Sequence, residues 1–401
     1  MDDPMETRLK PYVIDSNEAL DIKLIRKEDD LEDDDTSFSP EMSHQVFGDS
    51  ETIFGYKDLQ VQLYYSAGSL ETYLGMKYTE KLQKGEIDDV EPDDVFPKLM
   101  AKLTPPVYDN LDAFVKALSK DEKFKPCGEL LHSFTVNDNG NNRQFEVYKA
   151  DMTCQGFKEY HDRLQMFILW YIDAASFIDV DDDQWHYFNM YEKFTTSGQQ
   201  RYATIGFATV YQYYAYPNHT RPRIAQVLIL PPFQKLGLCA NLLRAIYRQY
   251  IGSNEVKDIT VEDPAIEFQR VRDYVDAINC MKLPSFSRQL LVQGFNKDMI
   301  NEARDKFKIN KRQSRRIYEI LRLQMTDLSN EQEYRDYRLD VKKRLNSPYK
   351  RGLQDMKKLE SLGNVAIPPP EQRIQSLEKE YRSLEEDYKK VIRRLEEVSE
   401  Q

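Results

Sequence analysis

The chain has 401 residues, and 68 acidic side chains against 56 Lys and Arg give it a formal net charge of −12. This charge argues against nucleic-acid binding as the main function, because proteins that bind a phosphate backbone usually present a dominant basic face. The sequence contains no apolar run long enough to cross a bilayer, and its first residues show no basic-then-apolar signal pattern. We expect a soluble intracellular protein of two or three domains whose partner is basic.

The cysteines and histidines predict no metal site. Cys127, Cys154, Cys239 and Cys280 are far apart and form no Cys-x-x-Cys pair. This usage is typical of a reducing compartment and argues against structural zinc. The five histidines are equally scattered.

Residues 1–146 mix short predicted strands with acidic loops. Residues 59–63 alternate apolar and polar side chains, which predicts a half-buried strand. Acids are concentrated in residues 28–35 and again in residues 179–183. A solvated surface segment is the ordinary explanation for such runs, and a surface for a basic substrate is the alternative.

From Phe157 onward, apolar residues at helical spacing predict a helix that ends near Ala174 and Ala175. Alternating residues then predict an antiparallel meander over residues 185–194 and 202–214, with an irregular turn at 195–200. The meander continues into an apolar strand at residues 224–230.

That strand leads into a turn at the start of a predicted helix. A helix N-terminus presents unpaired N–H groups and the positive end of the helix dipole, so it suits an anionic ligand. The turn has the spacing Gln-x-x-Gly-x-small, which resembles the acetyl-CoA loop of the GNAT N-acetyltransferase superfamily and differs from the nucleotide loops GxxxxGK[ST] and GxGxxG. An ordinary strand-to-helix turn is the alternative.

Residues 256–261 predict a second buried strand, which ends at Glu262 and Asp263 because Pro264 prevents further pairing. An amine attacks a thioester only when it is neutral, and deprotonating an ordinary Lys near neutral pH costs roughly 4 kcal/mol. A desolvated carboxylate acting as general base lowers that barrier. The alternative role for both acids is capping of the next helix. The two roles could also be divided, with Asp263 as the helix cap and Glu262 as the general base.

Four longer motifs carry a more specific resemblance: residues 177–182, 211–217, 220–223 and 258–264. Together they resemble the type B histone acetyltransferase catalytic subunit, from about Ile22 to the last helix. Members of that family acetylate newly made core histone four on early tail lysines. The resemblance implies an α+β fold with a mixed, mostly antiparallel GNAT sheet flanked by helices, an α/β N-terminal domain and a helical C-terminal module.

The implied domains are an N-terminal α/β domain that contributes to histone-tail binding (1–146), a GNAT acetyltransferase core (147–283), a helical module (284–345), and a linker with a heptad-patterned helix (346–401). In the core, the strand before the turn and the strand that bears the acids are expected to splay apart around the pantetheine arm. The implied catalytic residues are Glu262, Asp263 and Asp173. At the position of Asp173 the family carries Glu, which assists the base.

The resemblance also implies the binding residues. Those for acetyl-CoA are Val227, Leu228 and Ile229, whose backbone pairs with the pantetheine amides, and Gln234, Lys235, Leu236, Gly237, Leu238, Cys239 and Ala240 around the diphosphate. Those for the histone tail are Asp49, Glu51, Tyr211, Gln212 and Tyr213. Cys239, Leu236 and Leu238 depart from the family pattern, so we expect acetyl-CoA affinity to be weakened and not lost.

The expected co-substrate is acetyl-CoA, with no metal, no membrane contact and no direct sequence-specific nucleic acid. The expected partners are the tail of core histone four and a WD-repeat histone-binding chaperone subunit, in nucleus and cytoplasm. Two alternatives remain open: a weakly catalytic or non-catalytic histone escort, and a GNAT enzyme for other amines.

The C-terminal third is predicted to be helical. Basic residues cluster at 306–316, where a nuclear-localisation or nucleic-acid patch is one interpretation and a solvated helix face is the ordinary one. Apolar residues from Ile374 to Val398 keep 3,4 spacing over four heptads. The stripe could be covered by a second copy, another protein or the chain's own body. Residues 368–370 are three prolines, which predict a stiff hinge.

Overall fold

A computed structural model describes residues 8–83, 91–196, 198–360 and 370–399. The chain forms two compact units. Unit 1 comprises residues 1–212 and 224–245, and unit 2 comprises residues 213–223 and 246–401. No helix within the described ranges is long and apolar enough to span a membrane.

The described residues in the N-terminal part of unit 1 form nine short strands. Their bounds are β1 Val13–Asp15, β2 Leu20–Ile25, β3 Ser37–Phe38, β4 Thr52–Phe54, β5 Tyr56–Lys57, β6 Gln60–Ser66, β7 Thr72–Lys77, β8 Glu80–Lys81 and β9 Val107–Tyr108. The main sheet has the order β3-β2-β6-β7-β9, with β2 parallel to β6, β6 antiparallel to β7, and β7 parallel to β9. β1 pairs with β4, and β5 with β8.

Over residues 10–83 and 91–128, four α-helices accompany these strands. They are α1 Ser16–Ala19, α2 His44–Phe47, α3 Val95–Met100 and α4 Leu111–Ala117. The N-cap of α4 is Asn110, whose side chain accepts a hydrogen bond from the N–H of Ala113 at 2.9 Å. Such a cap satisfies an N–H group that has no partner within its own helix.

The larger sheet is the scaffold of the candidate site. Its strands are β10 Glu129–Asp138, β11 Asn141–Ala150, β12 Trp185–Thr196, β13 Gln199–Ala215 and β14 His219–Ile229, which are hydrogen-bonded in chain order. The pairs from β10 to β13 are antiparallel. The helices of this part are α5 Phe157–Leu164, α6 Ile168–Tyr171 and α7 Leu238–Ile251, of which α7 continues into unit 2.

Unit 2 is mainly helical. Its remaining elements are β15 Thr260–Val261, α8 Ile266–Cys280, α9 Arg288–Gln293, α10 Lys297–Phe307, α11 Lys311–Met325, α12 Glu331–Leu345, α13 Ser347–Glu360 and α14 Pro370–Ser399. Asn296, Asn310 and Asn330 cap α10, α11 and α12, each accepting a backbone N–H of the first turn.

The heptad stripe of α14 packs against unit 2 itself, on α8, α11 and α12. Tyr381, Tyr388, Val391 and Leu395 are buried there, while Ile374 at the start of the stripe is 67% exposed. Of the predicted occupants of the stripe, the chain's own body is therefore the one observed. The predicted hinge residues 368 and 369 lie outside the described residues.

The basic cluster at 306–316 does not form one solvated patch. Arg316 donates to the fully buried carboxylate of Asp273 at 2.6 Å. Arg315 bonds the fully buried Glu319 at 2.8 Å. These two guanidinium groups neutralise internal carboxylates, which cannot remain buried and charged without partners.

The first acidic run is also partly structural. The side chain of Lys23 is 1% exposed, and its Nζ donates to the carbonyls of Leu31 at 3.1 Å and Asp33 at 3.0 Å. Asp30 is buried, and its carboxylate accepts the backbone N–H of Arg26 at 2.8 Å. The run folds around a buried ammonium group instead of being a free acidic surface.

The predicted α+β class, with a mostly antiparallel sheet and a helical C-terminal region, is confirmed. Two details were wrong. The irregular turn predicted at 195–200 is not observed for its described residues, since Thr195 pairs with Gln200 and Thr196 with Gln199 as β12 and β13 continue. The helical segment from Phe157 consists of α5, a 3-10 turn at Gln165–Phe167 and α6, and it ends at Tyr171, not near Ala174. The predicted domain boundary at 146 falls within β11, and the four domain ranges stay a prediction.

Candidate active site

The turn between β14 and α7 has features that suit an anionic ligand. Gly237 has φ +73° and Lys235 has φ +64°, a left-handed conformation that costs a residue with a side chain but not glycine. Gln234 donates its amide to the carbonyl of Ile229 at 3.0 Å, which ties the turn to the end of the strand. The first helical bond runs from the N–H of Asn241 to the carbonyl of Gly237 at 3.3 Å. The N–H groups before Asn241 therefore have no acceptor within the helix.

The side chains of the turn range from exposed to buried, and Leu236 is half-buried. Gln234 and Lys235 are exposed, whereas Leu238 and Ala240 are buried. Leu238 is 1% exposed, so its bulk belongs to the apolar interior of unit 1. Cys239 is half-buried, and burial raises the pKa of its thiol to about 12. The thiol is therefore almost entirely protonated at neutral pH.

The strand residues predicted to face the pantetheine arm lie in β14. Leu228 and Ile229 are buried and Val227 is half-buried. On the neighbouring strand a glycine is required, because a Cβ at Gly206 would lie 2.1 Å from the carbonyl oxygen of Leu228. Leu230 donates its N–H to the carbonyl of Ile205 at 2.9 Å, so the backbone stays bonded to β13 as far as the start of the turn.

The predicted acidic contacts for the histone tail lie just after α2. Asp49 is exposed. Glu51 has φ +48°, and its carboxylate accepts the N–H groups of Ser43 at 2.7 Å and His44 at 3.0 Å and the amide of Asn17 at 2.9 Å. The Ser43 N–H, with Asn17 next, holds the pKa of Glu51 below its ordinary value. Glu51 is therefore a fixed, ionised carboxylate.

Asp173 was predicted to be a helical residue, and this was wrong. It lies two residues beyond the end of α6 at Tyr171, and its side chain is 76% exposed. The next residue, Ala174, has φ +52°, so the chain turns away from the helix here. The structure adds a neighbour that sequence reasoning missed: Nε2 of His44 lies 3.3 Å from the carboxylate of Asp173.

The segment that follows Asp173 is held between α2 and β14. Gln45 in α2 donates to the carbonyl of Ala175 at 3.2 Å. Gln226 in β14 donates to the carbonyl of Ser176 at 3.0 Å. Gln226 is 8% exposed and directly precedes Val227, so this short segment joins the environment of Glu51 to the predicted pantetheine strand within unit 1. The one sequence signal for this contact was Gln226, a polar residue within an otherwise apolar strand.

Tyr211 and Gln212, predicted to line the peptide groove, are held near the second acidic run. The Tyr211 hydroxyl donates to Asp182 at 2.9 Å, and its ring meets that of Trp185 edge-on at 4.9 Å. Gln212 donates its N–H to Gln184 at 3.0 Å. These contacts explain part of the aromatic pattern as sheet packing. Tyr213, in unit 2, is 39% exposed, with the Arg223 guanidinium 4.4 Å from its ring centroid.

Glu262 and Asp263 belong to unit 2, and both are exposed. The carboxylate of Glu262 is thus not desolvated as predicted. Asp263 does not cap the next helix: the N-cap of α8 is Ala265, without a side-chain cap bond. Asp263 instead has φ +27°, so the backbone turns sharply directly after the candidate base.

The strand predicted at 256–261 is mostly absent, because its residues pair with different partners. Only Thr260 and Val261 form β15. Val256 forms a parallel bridge with Thr220, while Ile259 bridges Ile309. Asp258 is 7% exposed and accepts from Arg221 at 3.1 Å, a residue of the predicted Thr220–Arg223 motif.

Two residues missed by sequence reasoning fix the backbone before Glu262. Arg272 and Asn310 both donate to the carbonyl of Ile259, at 3.2 and 3.3 Å. The N–H of Ile259 donates to Lys308 at 2.8 Å. Both Ile259 backbone groups are thereby paired. Within the described ranges, no group of three or more His, Cys, Asp or Glu side chains could hold a metal ion.

Comparison with known proteins agrees with these features. The family described as histone acetyl transferase HAT1 N-terminus matches residues 12–173, and the C-terminal domain of the histone acetyltransferase type B catalytic subunit matches residues 272–323. An aminoglycoside acetyltransferase from an uncultured soil metagenomic sample aligns with 12% identity over 32% of this chain and 84% of its own, at a TM-score of 0.24, a likeness too low to carry an argument.

Three relatives named histone acetyltransferase type B catalytic subunit align with most of the chain. The one from Rattus norvegicus is 48% identical over 98% of this chain and 95% of its own length. The one from Homo sapiens is 47% identical with the same coverage, and one from Dictyostelium discoideum is 36% identical over 87% of this chain and 78% of its own. The chain therefore belongs to the family of type B histone acetyltransferase catalytic subunits, and it is an acetyltransferase.

Proposed function

We propose that this histone acetyltransferase transfers the acetyl group of acetyl-CoA directly to lysine side chains of newly synthesised core histone four. The family supports histone acetylation as the activity. The turn after β14 supports acetyl-CoA, because a left-handed Gly237 and unpaired N–H groups at the start of α7 suit a diphosphate.

Residues around the turn would hold the cofactor. The backbone of Val227, Leu228 and Ile229 would pair with the pantetheine amides, and residues 234–240 would receive the diphosphate. Cys239 is at the turn, and its raised pKa opposes a thiolate that carries the acetyl group. Direct attack by the lysine amine is therefore the favoured route.

One observation carries the assignment of the acceptor site. The segment at 173–176 is in contact with α2 next to Glu51 on one side and with Gln226 of β14 on the other. The segment thus links the surroundings of the Glu51 carboxylate to the strand that leads to the proposed cofactor turn. The side chains of Glu51 and Asp173 would bind lysine or arginine side chains of the tail by charge-assisted hydrogen bonds.

Glu262 is the proposed general base. It would take a proton from the lysine ammonium, the neutral amine would attack the thioester carbonyl, and coenzyme A would leave as the thiol. Desolvation by bound substrates would then be what makes an exposed carboxylate basic enough. A WD-repeat histone-binding chaperone as partner, and a location in both nucleus and cytoplasm, are parts of the same proposal.

The first test is calorimetric titration with acetyl-CoA, followed by labelling of a core histone panel and mapping of the modified lysines. We expect cofactor binding and label on lysines of the histone four tail. Absence of acetyl-CoA binding would favour the histone escort instead. Higher activity on spermidine than on a histone tail would favour a GNAT enzyme for other amines.

A further inference from the structure

His44 occupies the space between two acidic side chains of the proposed acceptor site. Its Nδ1 lies 3.4 Å from Oε1 of Glu51, and its Nε2 lies 3.3 Å from Oδ1 of Asp173. An imidazole has one nitrogen on each side of the ring, so it can face two acceptors at once, and both nitrogens donate when the ring is protonated. The side chain is 30% exposed, so it is accessible from solvent.

The two carboxylates differ in how firmly the rest of the chain holds them. Glu51 also accepts two backbone N–H groups and an amide. Asp173 is 76% exposed, and within the described part of the chain the His44 imidazole is the one polar partner of its carboxylate. An exposed side chain loses rotamer freedom when it binds a ligand, unless a neighbour has already fixed it.

We propose that His44 is a positioning residue of the acceptor site, which anchors the Asp173 carboxylate to Glu51 so that both carboxylates are in place for a cationic side chain of the histone tail. This rests on the proposed function. The backbone supports the same arrangement, since α2 contacts the Asp173 segment through both His44 and Gln45. The His44 imidazole thus connects two parts of the chain that are more than 100 residues apart in sequence.

A double-mutant cycle tests whether His44 acts through Asp173. The variants are His44→Ala, Asp173→Ala and the combination. The readouts are the Kd of a fluorescein-labelled histone four tail peptide and kcat/KM for that peptide. We expect His44→Ala to weaken binding about tenfold in the wild-type background and to add little after Asp173→Ala. The KM for acetyl-CoA should not change.

Two further variants separate positioning from a general structural role. His44→Gln should recover most of the lost affinity, because its amide can still donate to a carboxylate. His132→Ala is the matched control: His132 is also half-buried, but it stacks on Phe134 in β10, so peptide binding should not change. Thermal unfolding of each variant reports on folding.

Wild-type affinity in His44→Ala would overturn the proposal. So would an equal loss in the wild-type and Asp173→Ala backgrounds, because His44 would then act independently of Asp173. A wild-type chain that binds the peptide but transfers no acetyl group would refute the proposed function instead. The binding cycle would still decide the role of His44.

Discussion

The phenol of Tyr388 donates a hydrogen bond of 2.9 Å to the carboxylate of Glu319, which joins the last helix of unit 2 to α11. Glu319 is fully buried and also bonds Arg344 at 2.6 and 2.7 Å. A buried carboxylate needs all its partners, because loss of one leaves a desolvated charge. The tyrosines of the heptad stripe thus serve as polar contacts within the unit.

Tyr388→Phe should lower the free energy of unfolding by about 1–3 kcal/mol, since it leaves a buried acceptor unsatisfied without changing the ring. Denaturant unfolding followed by circular dichroism measures this change. Lys379→Ala, on the exposed face of the same helix, is the control and should have little effect. Equal stability of Tyr388→Phe and the wild type would show that the contact contributes nothing.

Cys239→Ala should retain turnover within about twofold of the wild type, because a protonated thiol is a poor nucleophile. For the same reason, alkylation of Cys239 by iodoacetamide at pH 7.5 should be slow in the native protein. Initial rates and mass spectrometry provide the two readouts. Near-complete loss of activity in a folded Cys239→Ala variant would revive a covalent acetyl carrier.

Two arginines contact Phe233, the residue before the proposed cofactor turn. The guanidinium carbons of Arg26 and Arg143 lie 5.8 and 5.5 Å from the ring centroid of Phe233. Both groups bond Glu192, Arg143 at 2.8 Å. Burial alone would raise the pKa of Glu192, but the arginines outweigh it and hold this pKa below its ordinary value. The three charges therefore form a fixed support for Phe233.

Glu192→Gln should loosen this support and raise the Kd for acetyl-CoA about fivefold to tenfold, with kcat largely retained at saturating cofactor. Calorimetry and steady-state kinetics separate the two quantities. Glu122→Gln, which breaks a partly exposed pair with Arg201 in the same unit, should leave both unchanged. If Glu192→Gln keeps the wild-type affinity for acetyl-CoA, the cluster of Arg26, Arg143 and Glu192 does not support cofactor binding.

His161 gives unit 1 a predictable loss of stability in acid. It is fully buried against the rings of Tyr187 and Phe157, and burial lowers its pKa to about 4. The unfolded chain takes up a proton near pH 6.5, whereas the folded chain does not until about pH 4, so stability present above pH 6.5 is lost as pH falls between these values.

From pH 7 to pH 5 this residue alone should cost about 2 kcal/mol of unfolding free energy. His161→Phe keeps an aromatic ring and removes the titration, so its stability should fall less over the same interval. Denaturant unfolding at both pH values gives the comparison. An identical fall in both proteins would mean that His161 does not carry the effect.

The apolar pattern of the sequence was sufficient to predict those elements in which all the residues pack against the same surroundings. The strand that ends at Ile229, the turn and the helix after it follow from the apolar run at 224–230 and the glycine at position 237. The pattern at 256–261 was misleading, because Val256 and Ile259 are both buried but their backbones bridge to different segments, at Thr220 and Ile309. Burial that comes from several segments has no simple period.

Long-range polar contacts were not predictable for a different reason. Nothing local to His44 indicates that Asp173 lies beside it, and the contact depends on the chain turning at Ala174 with positive φ. Asp263 is a similar case. Its carboxylate before a helix predicted an N-cap, but the N-cap residue of α8 is Ala265. Such positions depend on tertiary structure, which overrides local preference.

The most direct test of the central claim measures kcat and the acetyl-CoA Kd of Glu262→Gln beside Asp263→Asn. Direct transfer with Glu262 as general base predicts that Glu262→Gln lowers kcat by about a hundredfold or more, because an amide cannot accept the proton, while the Kd stays at the wild-type value. A Glu262→Gln variant that keeps wild-type kcat on the histone four tail would contradict the account.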